Sequence, residues 1–143
     1  MSQQLATFEL AGHLFGVDVD RVQEVIRNQT TTRVPLAPAA IGGLINLRGQ
    51  VVTAIDLRQR LGLPSAGPDH LPMNVVVRTS DGPVSLFVDV IGEVIDTDDE
   101  LFESPPETLT GPGRELILGV HKLKDRLVLA LDVDRAVDIS ATA

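Results

Sequence analysis

Residues 42–56 have the pattern of a β-hairpin, and this pattern restricts the fold of the chain more than any other stretch does. Apolar and β-branched residues lead into and out of a turn at Arg48-Gly49. A two-residue hairpin turn requires positive φ angles, which glycine adopts without a Cβ penalty. We therefore predict two strands, over residues 44–47 and 50–55, joined by a tight turn.

A short helix is predicted directly after the hairpin, in residues 56–64. Asp56 is placed to cap this helix, and Gln59 lies three residues later, which is the capping-box spacing. Gly62 and Pro64 are typical of a helix end. The predicted unit is therefore a hairpin followed by a capped helix.

The same unit recurs 76 residues later without a gap. Gly43 corresponds to Gly119 and Asp56 to Asp132, with apolar residues matched between them. The alternative is chance similarity among strands rich in Val, Leu and Ile, but the matched Gly and Asp favour a repeat. We interpret the chain as two related halves of about 70 residues, a size at which a small β unit is only marginally stable alone.

Many short strands separated by Gly and Pro turns favour a mainly β fold. With the repeat, we expect two similar five-stranded β-barrels and a few short helices, packed around a shared apolar core. Residues 65–72 are rich in turn formers, so we expect one domain over residues 1–143 with a repeat boundary near residues 64–72. Asp20, with Gln23 in capping-box position, is expected to open a further helical turn.

The composition argues against several classes of function. Hydrophobic residues make up 43% of the chain, enough for a core, whereas aromatic residues make up only 3%. The net charge of −8 argues against nucleic acid or an anionic membrane as the main partner, because both require patches of Lys and Arg. The sequence contains no cysteine, which excludes disulfides and thiolate metal sites.

Targeting and membrane signals are also missing from the sequence. Residues 1–4 lack the charged and apolar regions of a signal peptide. No apolar run approaches the length of a membrane span. We therefore expect a soluble cytoplasmic protein with no direct membrane insertion.

The sequence contains no catalytic or metal-binding pattern. The histidines His13, His70 and His121 have no ligand spacing and are interpreted as solvated loop residues. The acidic residues 96–100 lack the spacing of a calcium-binding EF-hand, and residues 111–113 lack the Lys and Ser or Thr of a phosphate loop. We therefore expect no enzyme, no cofactor and no metal.

Arg48 is the unusual polar residue, because it lies at the tip of a hairpin with apolar flanks. One interpretation is an ordinary exposed turn residue. The other is a guanidinium offered to a partner's carboxylate or backbone carbonyl, to which its planar fork makes directional bonds. The roles of two earlier residues are also open. Val22 suits either the core or a contact with a partner, and Glu24 suits either a solvated face or a contact with a partner.

Two short runs carry a family resemblance. Residues 46–49 read Asn-Leu-Arg-Gly, and residues 55–58 read Ile-Asp-Leu-Arg. With the Val-Gln-Glu-Val-Ile run of residues 22–26, the chain resembles the CheW chemotaxis coupling proteins from about Phe8 to Val137. It contains no kinase motifs and no receiver domain, so the resemblance is to a stand-alone coupling protein rather than to CheA or CheV.

The resemblance implies two SH3-like barrels whose lobes can exchange strands, and a non-catalytic adaptor in chemotaxis. The family bridges the cytoplasmic helical tip of chemoreceptors to the regulatory domain of a CheA-type histidine kinase, in arrays at the membrane. By position, its receptor-contact residues correspond here to Val19, Val22, Glu24, Gly43 and Arg48, with Asn46 and Leu47 adjacent. The resemblance does not place the kinase-contact residues.

Functions from two other classes stay open on the sequence. A barrel with a hollow apolar interior would be a small-molecule sensor, although the scarcity of aromatic residues argues against it. A hydrolase using Asp or Glu would need two carboxylates facing a pocket, whereas the sequence offers carboxylates only in caps and loops. The receptor and the pathway are not identified, and residues 65–72 align with no family motif.

Overall fold

The computed structural model describes residues 2–27, 30–64, 67, 71–98, 102–104, 111–123 and 125–138. The strands are, in chain order, β1 (Ser2–Leu10), β2 (His13–Asp18), β3 (Val22–Ile26), β4 (Thr31–Thr32), β5 (Ile41–Leu47), β6 (Gln50–Asp56), β7 (Met73–Thr79), β8 (Gly82–Val88), β9 (Val90–Asp98), β10 (Phe102–Glu103), β11 (Ile117–Lys122) and β12 (Leu127–Leu131). The short helical elements are the 3-10 turns Val19–Arg21 and Pro112–Leu116 and the α-helices α1 (Leu57–Leu61) and α2 (Val133–Val137). The predicted mainly β fold with few short helices is confirmed.

The described strands form two six-stranded sheets of the same topology. The first lobe has the order β3-β7-β8-β6-β5-β4, and the second lobe has the order β9-β1-β2-β12-β11-β10. The parallel pair of strands has the same place in both sheets: β8 and β6 in the first lobe, and β2 and β12 in the second. Each sheet is larger than the five strands predicted because a two-residue edge strand, β4 or β10, joins it.

The lobes exchange strands. The N-terminal hairpin β1–β2 belongs to the second lobe, and the chain crosses to the first lobe through the 3-10 turn Val19–Arg21. It crosses back at Asp89, between β8 and β9. Most of the segment expected to hold the repeat boundary, residues 65, 66 and 68–70, lies outside the described residues, so a boundary near residues 64–72 stays a prediction.

Positions 76 residues apart make the same backbone contacts. The amide of Asp56 donates to the carbonyl of Ala40 at 2.7 Å, and the amide of Asp132 donates to the carbonyl of Leu116 at 2.7 Å. Each Asp side chain accepts a hydrogen bond from the amide three residues later, at 3.3 Å and 3.2 Å, and so caps the following helix. The hairpin followed by a capped helix therefore occurs in both lobes.

An apolar core lies between the lobes, as predicted. The second lobe contributes Phe8 and Phe15, whose rings stack at a centroid distance of 5.8 Å. The first lobe contributes Val75 and Val77 of β7, and buried side chains of α1 and α2 complete the cluster. Val76 packs instead into a second cluster inside the first lobe. Strand β7 is therefore buried on both faces, as its run of Val residues indicates.

Two local predictions are wrong. Asp20 does not open the helical turn, because the carboxylate of Asp18 caps it by accepting a hydrogen bond from the amide of Asp20 at 3.0 Å. His121 is not solvated: it is only 3% exposed and packs against the ring of Phe102 at a centroid distance of 4.7 Å. Phe102 of β10 lies directly opposite His121 in the pairing of β10 with β11, so the contact between the two rings depends on that pairing. His70 lies outside the described residues.

Candidate docking surface

The tip of the β5–β6 hairpin is a tight turn in which both central residues have positive φ. Arg48 has a φ of 52° and Gly49 a φ of 86°, which is the geometry of a type I′ turn. The side-chain oxygen of Asn46 accepts a hydrogen bond from the amide of Gly49 at 2.8 Å. Asn46 therefore holds the turn that presents Arg48.

Arg48 forms a two-pronged ion pair with Glu24. Its Nη1 and Nη2 donate to the two carboxylate oxygens of Glu24 at 2.6 Å and 3.0 Å. The Arg48 side chain is 75% exposed, whereas that of Glu24 is 21% exposed. Since the planar fork is fixed by one carboxylate, the guanidinium has a defined direction although it lies in solvent.

The ion pair also joins two distant strands of the first lobe. Glu24 lies on β3 at one edge of the sheet, whereas Arg48 follows β5, the fifth strand along. The same two parts of the sheet also meet through apolar side chains, because Ile26 of β3 packs against the cluster that contains Leu47 and Ile45 of β5. The sheet therefore curls until its edge meets the hairpin tip, and the Arg48–Glu24 pair lies where they meet.

Val19 and Val22 flank the crossing from the second lobe to the first. Val19 is the first residue of the 3-10 turn, and the amide of Val22 donates to the carbonyl of Val19 at the end of the turn. Both side chains are half-buried, and Val22 packs against the core between the lobes. They add an apolar edge to the strand that carries Glu24.

Gly43 and Leu47 lie inside the lobe rather than on its surface. Gly43 is buried with a φ of 149°, and a Cβ there would lie 2.6 Å from the carbonyl oxygen of Thr32. Leu47 is 8% exposed. Of the residues predicted for docking, these two support the hairpin and the edge strand β4, and the accessible groups are those around Arg48.

The family model described as the CheW-like domain matches residues 4–140. The chain belongs to the CheW-like domain family. The chemotaxis protein CheW of Treponema pallidum is 33% identical over 136 residues, which is 92% of this chain and 80% of that protein. The chemotaxis protein CheW of Bacillus subtilis is 30% identical and covers 95% of this chain, with 87% of its own length matched.

A solved structure has the same fold. The crystal structure of the scaffolding protein TtCheW from Thermoanaerobacter tengcongensis superposes with a TM-score of 0.86 at 29% identity. The match covers 97% of this chain and 94% of that one. The two-lobed β architecture is therefore that of the CheW-like family.

Within this CheW-like fold, five of the seven residues expected to contact a receptor are at least partly accessible. Glu24, Asn46 and Arg48 lie at the hairpin tip, Val22 begins the edge strand β3, and Val19 begins the 3-10 turn that precedes it. The Arg48–Glu24 pair was not predicted, because the two residues are 24 positions apart and their contact depends on the curl of the sheet.

One accessible residue beside the tip was not predicted as a contact residue. Val51 pairs with Asn46 across the hairpin and is 64% exposed. Cross-strand register could have identified it, because a turn at Arg48-Gly49 places residues 46 and 51 opposite each other. An exposed apolar side chain on the hairpin beside a fixed guanidinium suits a partner that is itself amphipathic.

The described residues form neither a metal-binding cluster nor a membrane-spanning helix. Among them, no group of three or more His, Cys, Asp or Glu side chains is arranged to hold a metal ion. None of the helices within the described part of the chain is long and apolar enough to cross a membrane.

Proposed function

We propose that this chain is a non-catalytic adaptor that couples the cytoplasmic tip of chemoreceptors to a CheA-type histidine kinase in chemotaxis. The observation that carries the proposal is the CheW-like match over residues 4–140, supported by the TtCheW scaffold fold. An adaptor needs surfaces for two partners and no reaction centre. Its working location is then the receptor array at the membrane.

The receptor tip docks, in this proposal, on the surface formed by Val19, Val22, Glu24, Asn46 and Arg48. A guanidinium has five N–H donors, and the pair with Glu24 uses two of those of Arg48. The remaining donors are held in a fixed direction and suit the acidic side chains or free carbonyls of a helical hairpin. The apolar groups supply a surface for the partner helix, whereas the exposed charges set specificity and association rate more than affinity.

Replacing Arg48 by Ala tests this surface. We expect Arg48→Ala to abolish detectable binding to a soluble cytoplasmic fragment of a methyl-accepting chemotaxis protein from the same organism, measured by calorimetry. Arg126→Ala is the matched control, because Arg126 is also an exposed arginine in an ion pair, with Glu9 at 3.4 Å, beside the equivalent hairpin of the second lobe.

Equal affinity of Arg48→Ala and Arg126→Ala for the receptor fragment would contradict the placement of the docking surface. The alternative of a small-molecule sensor is not favoured by the CheW-like match, and a thermal-shift screen tests it. We expect no metabolite to raise the melting temperature. A specific stabilising metabolite, together with no binding of the receptor fragment, would favour the sensor.

A further inference from the structure

The crossing between the lobes at residues 19–21 is held by a reciprocal pair of arginines. Arg21 donates from Nε and Nη2 to the carbonyl of Arg78 at 3.0 Å and 2.9 Å. Arg78 donates from Nη1 to the carbonyls of Asp20 and Val22 at 2.8 Å and 3.2 Å. Arg21 therefore holds the carbonyl of Arg78, whereas Arg78 holds the carbonyls on either side of Arg21, one of which is that of Val22.

A residue of the second lobe completes this arrangement. Arg21 Nη2 donates to Oδ1 of Asp134 at 2.7 Å, and Nη1 donates to Oδ2 at 3.3 Å. The hydrogen bond raises the pKa of Arg21 and lowers the pKa of Asp134. Asp134 lies on α2, whose Val133 and Ala136 are buried in the core between the lobes, so the carboxylate is carried by a firmly packed helix.

The other crossing, at Asp89, is held by a similar ion pair, but here the helix supplies the arginine and the crossing supplies the aspartate. Arg58 of α1 occupies the position 76 residues before Asp134, and it bonds Asp89 through Nε at 3.1 Å and Nη2 at 2.5 Å. Asp89 also accepts from the amide of Ala11 at 2.9 Å. Each crossing is thus tied to a helix by one Arg–Asp pair, but only the Arg21–Asp134 pair lies beside proposed docking residues.

We propose that Arg21, Arg78 and Asp134 are positioning residues that set Val19 and Val22 in place for the receptor tip. This inference rests on the proposed function. Helix α2 of the second lobe then shapes the apolar edge of a surface whose charged tip belongs to the first lobe. None of the three residues is among those that the family resemblance assigns to receptor contact.

The test compares Asp134→Ala with two controls. Arg58→Ala removes the counterpart pair at the other crossing, and Asp81→Ala removes the same charge from an exposed turn. We expect Asp134→Ala to weaken binding of the receptor fragment by about fivefold, with partial recovery in Asp134→Glu. Both controls are expected to retain wild-type affinity, although we expect Arg58→Ala to lower the melting temperature more than Asp134→Ala does.

Hydrogen exchange supplies a readout that does not need the receptor. We expect the amides of residues 20–24 to exchange faster in Asp134→Ala than in Arg58→Ala or Asp81→Ala, because the 3-10 turn loses its anchor. Unchanged exchange there, or equal loss of affinity in Asp134→Ala and Arg58→Ala, would overturn the positioning role. If the wild-type protein fails to bind the receptor fragment while the exchange pattern holds, the proposed function fails, and the contacts of Arg21, Arg78 and Asp134 stand as a structural feature only.

Discussion

At the scale of single residues, Arg48 combines two unusual properties. It has a φ of 52°, a left-handed conformation that costs a non-glycine residue about 1 kcal/mol. It is also 75% exposed and held by Glu24. A turn built for stability alone would carry Asn or Gly at this position, so the arginine is explained better by contact than by folding.

Replacing Arg48 by glycine separates these two properties. Glycine relieves the strained φ but loses the exposed ion pair and gains freedom in the unfolded chain. We expect Arg48→Gly to change the free energy of unfolding by less than about 1 kcal/mol in urea titrations, while binding to the receptor fragment is lost. A stable Arg48→Gly protein that still binds would show that the guanidinium is dispensable.

Gly43 is expected to act through packing rather than contact. An added Cβ would meet the backbone of Thr32 at a φ of 149°, so we expect Gly43→Ala to lower the free energy of unfolding by about 2–4 kcal/mol. Gly12→Ala is the control, because Gly12 has a φ of 83° but open space around it. Wild-type stability of Gly43→Ala with loss of receptor binding would instead make Gly43 a contact residue.

At the scale of elements, the sequence predicted correctly those features that depend only on neighbouring residues. The β5–β6 hairpin and the caps of α1 and α2 depend on neighbouring residues, and sequence spacing placed them correctly. Spacing gave the wrong cap for the turn at residues 19–21, because Gln23 lies three residues after Asp20 although Asp18 is the residue that caps the turn. The edge strand β4 contains only Thr31 and Thr32 of a longer β-prone run, because pairing with β5 decides its length.

The ion pair between Arg21 and Asp134, which joins the crossing at residues 19–21 to α2, predicts that the stability of the fold depends on pH. The hydrogen bond from Arg21 lowers the pKa of Asp134 below its ordinary value of 3.8. A lowered pKa in the folded state means that the stabilisation is present above the ordinary value and is lost as pH falls through the folded one. Because Asp134 is 72% exposed, the contribution is below about 1 kcal/mol.

Comparison of the wild type with Asp134→Asn measures this dependence. We expect the difference in free energy of unfolding, from urea titrations, to be constant above about pH 5 and to shrink towards zero under more acidic conditions. A difference that grows on acidification would contradict the assigned ion pair.

At the scale of the whole molecule, the exchange of strands between lobes could not be derived from the local pattern. Each half of the sequence repeat looks self-contained, but β1 and β2 join the second lobe because their partners are β9 and β12. Long-range pairing also creates the Arg48–Glu24 contact and buries His121, which explains why both escaped sequence reasoning. The seven residues predicted for docking came from the resemblance, and the structure shows which of them are accessible.

Strand exchange makes the second crossing important for stability. The Arg58–Asp89 side chains are 17% and 16% exposed, so we expect Asp89→Ala to lower the free energy of unfolding by about 2 kcal/mol. Glu9→Ala, which breaks the exposed pair with Arg126, is expected to lower it by less than about 1 kcal/mol. Urea unfolding followed by circular dichroism measures both, and equal effects would show that the crossing adds no special stability.

If this chain links two partners, a sedimentation assay with three components will reveal the link. Receptor cytoplasmic fragments are attached to vesicles, and a CheA-type kinase from the same organism is added with the wild-type chain, with Arg48→Gly, or alone. We expect the kinase to sediment with the vesicles only when the wild-type chain is present. Kinase that sediments equally well without the chain, or equally well with Arg48→Gly, would contradict it.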